Sequence, residues 1–357
     1  MAKSKARRAL AFEEGMAESK ALVPLGLEYE ARVGTKGSGD LQFDDPSEVS
    51  VDHELDRMRV ADSENKRIVV MTLRLKFVRA LRGSGRGALE WPKGVAAAAG
   101  SRILYITDFE RHCVVVINEE DGTVLRVFGE EGKEPGQLVH PLGIVLSEGR
   151  LYIAEGFNHR VQVFETDGTP VACYGNGEGS GRDQLAHPMG LAVSGGTLLV
   201  SDRLNHRIQR LDKSSGRFLG SFCTKGGAGQ LSWFCRPSGV AVAGGRIYIT
   251  DFEDHRVLVL NQEGKQIGVF GSEGDGDGQF RWPGGVAASG PVLAICSGGD
   301  GEDHQRVTVY SDVQLTRGAK LLKQHLCFET SWMRGQDAVL ADVIAELVSP
   351  ADTRQWK

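Results

Sequence analysis

Apolar and polar residues alternate along this chain in short runs, without a helical period. One recurring block reads MRVADSENKRIVVM, LYITDFERHCVVVI, LYIAEGFNHRVQVF, LLVSDRLNHRIQRL and IYITDFEDHRVLVL, with a looser sixth copy, VLAICSGGDGEDHQRVTVY. Each copy has two runs of β-branched and aromatic residues around a polar turn, which predicts a strand, a turn and a second strand. A further short run then precedes a glycine-rich loop, as in VLRVFG, PVACYG, FLGSFC and QIGVFG. The pattern predicts an all-β chain.

Six prolines give this pattern a period of about 47 residues. They are Pro46, Pro92, Pro141, Pro188, Pro237 and Pro283, and the text PKGVAAA, PLGIVLS, PMGLAVS, PSGVAVA and PGGVAAS recurs at the last five. Four short strands in each of six units predict a six-bladed β-propeller of four-stranded antiparallel blades. A ring of blades buries the two apolar faces that one blade cannot bury alone.

The ring is expected to close through a strand that lies outside the six regular units. LEYEARVG at 27–34 has the register of a fourth strand, which predicts that it pairs as the outer strand of the last blade; LLKQHLCF at 321–328 is a competing candidate. We therefore divide the chain into a flexible basic arm at 1–22, a propeller at 23–328 and a tail at 329–357.

The tail carries one helical pattern. Its apolar positions at i, i+3, i+4 and i+7 predict a short amphipathic helix that docks either on the propeller or on a partner, and Pro350 should end it. The apolar residues are Leu340, Val343, Ile344 and Leu347.

Composition and the pattern of apolar runs indicate a cellular compartment. Glycine supplies 47 of 357 residues, which is about 13% against a usual ~7%. No apolar run approaches the ~20 residues that span a bilayer, and no apolar stretch follows the basic N-terminus, so we expect neither a membrane span nor a secretory signal. Six scattered cysteines without a C-x-x-C motif favour free thiols in a reducing compartment. We expect an intracellular, cytoplasmic protein, with organelle targeting by the arm left open.

The repeated motifs resemble those of NHL-repeat propellers. The resemblance lies in the P-x-G-[VIL]-A/V strand, the [LI]-Y-[IV]-x-D strand and the D-x-x-N-H-R-[IV]-Q turn, and it covers residues 27–310. Departures are Glu48 in place of glycine, Cys113 in place of arginine and Ser297 in place of the turn acid. The resemblance implies a recognition module of larger scaffolds or ubiquitin ligases. Without a RING-type Cys/His set, a ligase role would require a partner.

The enzyme hypothesis lacks its residues. Some six-bladed propellers that resemble this chain are zinc lyases, and their zinc histidines directly follow the blade proline. The matching residues here are Ser47, Lys93, Leu142, Met189, Ser238 and Gly284. The inner strands GVAAA, GIVLS, GLAVS, GVAVA and GVAAS carry no acid or amide of the kind that propeller hydrolases place around the channel. We expect a non-enzymatic protein without metal or cofactor; a lyase or hydrolase with an unrecognised metal site is the second alternative.

Charged and histidine residues recur at the turn between the second and third strands. Asp62, Asp108, Glu155, Asp202 and Asp251 end second strands, and Arg67, Arg160, Arg207 and Arg256 begin third strands. Opposite charges across a tight turn predict structural ion pairs. Four histidines share one position of this turn: His112, His159, His206 and His255. Each lies in a different blade, so they cannot converge on one zinc ion, whose nitrogen ligands lie within about 2.1 Å. The acidic loop at Asp275 and Asp277 lacks the ligand spacing of a calcium loop.

One face collects the remaining unusual side chains. In an antiparallel four-stranded blade, the loop before strand one and the turn between strands two and three lie at the same end. Exposed aromatic and arginine residues are typical of binding hot spots. We therefore predict partner-binding residues at Trp91, Phe109, Arg111, His112, Phe157, His159, Arg203, Leu204, His206, Phe252, His255 and Trp282. For the tryptophans, wedging between blades is the alternative.

These patterns favour a protein-interaction scaffold that binds a protein partner on that face. RNA binding is the alternative, supported by the turn arginines and the basic arm. The net charge of −7 over residues 23–310 opposes it, and the net charge of −5 over the chain gives no reason to expect DNA binding. The sequence does not determine the oligomeric state.

Overall fold

The computed structural model describes residues 26–223, 234–298 and 304–312. Within these ranges the chain forms 24 β-strands in six four-stranded antiparallel sheets, with two 3-10 helices, Gly85–Gly87 and Arg203–Asn205. No helix in this part of the chain is long and apolar enough to span a membrane. The innermost strands of neighbouring sheets contact one another around a ring. The predicted six-bladed β-propeller is confirmed.

Each blade runs from an innermost strand that begins at the repeated proline to an outer strand. Blade 1 contains β2 (Pro46–Asp52), β3 (Arg57–Asp62), β4 (Arg67–Met71) and β5 (Phe77–Leu81). Blade 2 contains β6 (Pro92–Ala96), β7 (Ile103–Asp108), β8 (Cys113–Asn118) and β9 (Val124–Phe128). Blade 3 contains β10 (Pro141–Ser147), β11 (Arg150–Glu155), β12 (Arg160–Glu165) and β13 (Pro170–Tyr174). Blade 4 contains β14 (Pro188–Ser194), β15 (Thr197–Asp202), β16 (Arg207–Asp212) and β17 (Phe218–Cys223). Blade 5 contains β18 (Pro237–Ala243), β19 (Arg246–Asp251), β20 (Arg256–Asn261) and β21 (Gln266–Phe270). Blade 6 contains β22 (Pro283–Ser289), β23 (Val292–Ser297) and β24 (Arg306–Asp312).

The fourth strand of blade 6 is β1 (Leu27–Val33), and the order in that sheet is β1-β24-β23-β22. In antiparallel register, Leu27 pairs with Asp312. The ring of strands is therefore joined by a segment that precedes blade 1 in the sequence. The competing candidate at 321–328, the arm at 1–22 and the tail at 329–357 lie outside the described residues.

The apolar core consists of six clusters, each shared by two adjacent blades. Between blades 2 and 3, for example, Val114, Ile153 and Phe164 are fully buried together. The second and third strands are covered on both faces, which is why they read as continuous apolar runs instead of alternating ones. Blade stacking therefore supplies the burial that an isolated sheet would lack.

The glycine two residues after the blade proline is required by blade-to-blade contact. A Cβ atom on Gly143 would lie 2.3 Å from the carbonyl oxygen of Met189 in the next blade, and one on Gly190 would lie 2.4 Å from that of Ser238. These distances are far below van der Waals contact, so only glycine lets the inner backbones approach. This contact explains why glycine recurs two residues after the blade proline.

We predict that Gly143→Ala destabilises the ring. The added methyl group meets backbone that cannot move without shifting blade 4, which typically costs about 1–3 kcal/mol. Chemical denaturation should show a lower free energy of unfolding for this variant. Gly196→Ala is the matched control, because nothing lies within 4 Å of a Cβ at that position. Equal stability of the two variants would contradict the packing role.

Candidate partner-binding face

A buried acid–arginine pair holds the loop before the blade in four of the six blades. In blade 3, Arg160 Nε donates to Glu155 Oε1 at 2.6 Å and its Nη2 donates to the Gln137 carbonyl at 2.8 Å. Glu155 Oε2 in turn accepts from the Val139 N–H at 3.0 Å. The same pairing occurs in Asp62–Arg67, Asp202–Arg207 and Asp251–Arg256. The predicted structural ion pairs are confirmed.

The two blades that depart from the motif use other residues for the same purpose. In blade 2, Cys113 replaces the arginine, and the Arg111 guanidinium donates to the carbonyl oxygens of Arg86 and Ala88 in the loop before the blade. This guanidinium therefore holds the fold together, although the sequence placed it among the partner-binding residues.

Blade 6 lacks the turn acid, since Ser297 stands in its place. Arg306 donates to the Gln279 carbonyl at 2.9 Å, and the carboxylate is supplied by the loop itself, where Asp275 Oδ1 lies 2.7 Å from His304 Nδ1. Hydrogen bonds from Arg281 and His304 lower the pKa of Asp275 to about 2. The loop that resembles a calcium loop in sequence is thus held by cationic and histidine side chains.

The turn histidines connect each blade to the next. Their backbones are left-handed, with φ of 52° to 53°, a conformation that histidine tolerates better than most residues. The Nδ1 atoms of three of them accept a backbone N–H from the residue before the next blade's proline, as His112 from His140 (3.0 Å), His159 from His187 (3.3 Å) and His255 from Trp282 (3.0 Å). Nδ1 of the fourth, His206, is directed at the Cys235 carbonyl instead.

This hydrogen bond requires a neutral ring. Because Nδ1 accepts, the proton must lie on Nε2, and a second proton would remove the acceptor. Burial lowers the pKa of His112 and of His255, which favours the neutral form. The repeated histidine is thus explained by backbone conformation and by a bond between blades.

Five rings form a continuous line across blades 2 to 4, which we call the aromatic row: Trp91, Phe109, His140, Phe157 and His187. Ring centroids are 4.2 Å apart for the stacked pair Phe109–His140, 5.0 Å for His140–Phe157 and 5.3 Å for Phe157–His187. Trp91 lies 6.1 Å from Phe109. Phe157, near the middle, is 52% exposed.

The row is held by backbone and side-chain bonds at its base. The Phe109 N–H donates to the Trp91 carbonyl at 2.9 Å, and His140 Nδ1 lies 3.1 Å from the Phe109 carbonyl, to which it donates. The loop before one strand and the turn between two others therefore do meet at one end of the blades, as expected. A rigid apolar strip results, with the Phe157 ring projecting from it.

The other predicted residues continue this face with different environments. Leu204 is 46% exposed on the turn of blade 4. Its neighbour Arg203 is largely buried, with its guanidinium 4.6 Å from the centre of the Phe252 ring, and desolvation lowers its pKa. Trp282 lies against His255 at 5.5 Å. The structure thus brings the predicted residues Trp91, Phe109 and Phe157 into one strip, whereas Arg203 contacts Phe252 and Trp282 contacts His255 outside it.

Sequence reasoning missed His140 and His187 as members of this face. Both directly precede a blade proline, the position that Trp91 and Trp282 also occupy. That shared position was the available signal. The sequence analysis therefore predicted Trp91, Phe109 and Phe157 without the two rings that connect them.

The central channel contains Glu48, which stands where the other blades have glycine. The six residues that follow the blade prolines all line a cavity of about 50 Å³, together with Glu48. A water needs about 10–15 Å³ by this measure, so the cavity has room for a few waters. The Glu48 carboxyl has no hydrogen-bond or ion-pair partner among the described residues, and desolvation raises its pKa to about 8. Lys93 Nζ instead contacts Asp45 at 2.6 Å.

In the described part of the chain, no three or more His, Cys, Asp or Glu side chains are close enough together to hold a metal ion. Among these residues, Cys113, Cys173 and Cys296 are free cysteines.

Comparison with known proteins supports the repeat and the fold. The family profile of the NHL repeat matches residues 234–260, which span the end of the loop before blade 5 and its first three strands. No curated protein matches the chain in sequence. A solved structure of a nidogen/laminin complex contains a chain that is 22% identical, with a TM-score of 0.50 over 63% of this chain and 79% of that one. At this identity the likeness concerns the fold alone.

Two further solved structures are similar at 13% identity and a TM-score of 0.49. Hydrazine synthase of Kuenenia stuttgartiensis matches over 71% of this chain and 92% of that one, and virginiamycin B lyase of Staphylococcus aureus over 74% and 79%. The chain is a six-bladed β-propeller that carries an NHL repeat.

We predict that the turn histidines make stability depend on pH. Because burial lowers the folded pKa of His112 and of His255, the contribution of these two histidines is complete above about pH 6.5 and is lost as the pH falls through the folded pKa. The double variant His112→Asn/His255→Asn keeps a residue that tolerates the left-handed backbone. Urea denaturation between pH 7.5 and 5.5 should show a smaller loss of stability for this variant than for the wild type.

Buried carboxyls such as Asp251, whose pKa rises to about 6, titrate in the opposite sense and do so in both proteins. The difference between the slopes of unfolding free energy against pH therefore reports the histidines. His53→Asn is the control, because that side chain is exposed. Parallel curves for the wild type and the double variant would refute the role of the Nδ1 bonds.

We predict that Glu48→Gln stabilises the protein increasingly as the pH rises. A carboxyl whose folded pKa is raised favours folding below its unfolded value, about 4.3, and this contribution is lost as the pH rises through the folded pKa. Glutamine has no such dependence. Thermal melts should show a gain in Tm over the wild type that is larger at pH 9 than at pH 5, whereas the exposed Glu64→Gln should show none. A constant difference would be inconsistent with a desolvated carboxyl.

Proposed function

We propose that this protein is a non-enzymatic scaffold that binds a protein partner on the face carrying the aromatic row. The observation behind this proposal is the continuity of the five rings over three blades, with Phe157 more than half exposed between His140 and His187. A large exposed aromatic side chain on a rigid base is typical of the residues that dominate protein interfaces.

The environment of the row suits binding more than catalysis. His112 beside the row and His140 within it use their Nδ1 atoms for the fold, since His112 Nδ1 accepts from the His140 N–H and His140 Nδ1 donates to the Phe109 carbonyl. A general base needs a free lone pair within reach of a nucleophile, together with a group that orients it. The exposed groups at the centre of the row are instead apolar carbon surfaces, which gain free energy when a partner covers them.

The buried acid–arginine pairs weaken the case for RNA as the ligand. The turn arginines that support RNA binding in the sequence are engaged in the fold, as Arg160 is with Glu155 and Arg207 with Asp202, each at 2.6 Å. Guanidinium groups held in this way are poor contacts for phosphate, the group that dominates nucleic-acid affinity. A protein ligand is the better match for the groups that remain exposed.

Removing the exposed apolar side chains should abolish partner capture. We predict that Phe157→Ala/Leu204→Ala loses the proteins that proximity labelling with the full chain identifies. The matched control is Leu125→Ala/Val171→Ala, because these side chains on outer strands β9 and β13 are exposed to similar extents, 49% and 42% against 52% and 46%. Quantitative mass spectrometry measures the difference. If the first double variant retained the same proteins as the control, this face would not be the binding site.

A further inference from the structure

We propose that the aromatic row binds a positively charged, apolar segment of the partner protein. This inference rests on the proposed function and adds the chemistry of the ligand. It rests on the carboxylates near the row and on the contacts that nearby cationic side chains make within the fold.

The turns and loops that border the row carry a net negative charge. Residues 82–91, 109–112, 129–138, 156–159 and 175–187 contain seven carboxylates and five cationic side chains. Such an excess of negative charge beside an apolar surface attracts a ligand of opposite charge and repels phosphate-rich ones.

Two of these carboxylates recur at the same position of successive loops. Glu131 and Glu178 each form the same isolated parallel bridge, with Leu138 and Leu185 respectively. Each lies beside a turn histidine: Glu178 Oε2 is 3.8 Å from His159 Nε2, and Glu131 acts on His112 through its charge. The repeat thus places one exposed carboxylate beside the turn of blade 2 and one beside the turn of blade 3, which carries Phe157.

Two cationic side chains near the row make contacts within the fold. Arg111 donates to the carbonyls of Arg86 and Ala88, and Lys93, at the Trp91 end, lies 2.6 Å from an Asp45 carboxylate oxygen. Neither neutralises the two loop glutamates. Among the described residues, Glu131 and Glu178 form no ion pair with arginine or lysine, so both exposed carboxylates can receive a cationic ligand.

Aromatic faces among carboxylates favour cationic side chains for two reasons. A guanidinium or ammonium is attracted to the face of a ring, and it can pair with a nearby carboxylate at the same time. The face already contains one such contact, Arg203 above the Phe252 ring at 4.6 Å. A partner segment that combines arginine or lysine with apolar residues would satisfy both the rings and the glutamates.

The test is selection of random 16-residue peptides displayed on phage, with the full-length chain as bait. Enriched peptides should carry a net positive charge together with apolar residues. Their affinity, measured by fluorescence anisotropy with synthetic peptides, should fall about tenfold or more with Phe157→Ala, the loss expected of a hot-spot residue. Leu125→Ala should leave affinity unchanged. Both side chains are exposed, and thermal melts check that each variant is folded.

The charge is tested separately with Glu131→Gln/Glu178→Gln, which alters only exposed side chains. This variant should bind the peptides more weakly and with less dependence on salt. Enriched peptides that are neutral or acidic, yet still depend on Phe157, would overturn this inference and leave the proposed function standing. Two results would overturn both: peptides insensitive to Phe157→Ala, or single-stranded oligouridine binding that depends on Phe157. Failure to enrich any peptide would overturn the inference.

Discussion

The buried carboxylate–arginine pair is the interaction on which the rest of this propeller depends. An acid at the end of the second strand and an arginine at the start of the third pair below the surface, and together they bind the backbone of the loop before the blade. Burial of such charges is expensive unless their hydrogen bonds are satisfied, and removing one partner typically costs about 3–5 kcal/mol. The loops are long and rich in glycine, so without these bonds nothing comparable would define their path.

The same pairs determine where the exposed rings lie. Glu155 and Arg160 enclose the turn that carries Phe157 and His159, and His159 in turn holds the residue before the proline of the next blade. Each side chain of the face therefore stands on a turn whose two ends are bonded to a neighbouring loop. A surface built in this way is preorganised, which lowers the entropy that a partner must lose on binding.

Much of this architecture could be predicted from the repeat, because a period of about 47 residues with four apolar runs leaves few alternatives. The ion pairs could also be predicted, since acid and arginine recur at a constant separation. The contents of the channel and the connection of the rings could not. Glu48 departs from a glycine pattern, and a single departure does not reveal that its carboxyl is unpaired. His140 and His187 needed the position of the neighbouring blade before they could be recognised as stacking partners of Phe109 and Phe157.

Closure of the ring by β1 has a consequence for synthesis of the protein on the ribosome. Glu30 in β1 is hydrogen-bonded to Ser311 in β24, although 281 residues separate the two in the sequence. At the 5–20 residues per second typical of translation, the first strand to emerge waits for many seconds before its partner exists. During that interval β1 has an open hydrogen-bonding edge, and the five complete blades can assemble before the sixth acquires its outer strand. Pairing of β1 with β24 therefore joins two segments that are distant in the sequence, and it converts an open array into a ring.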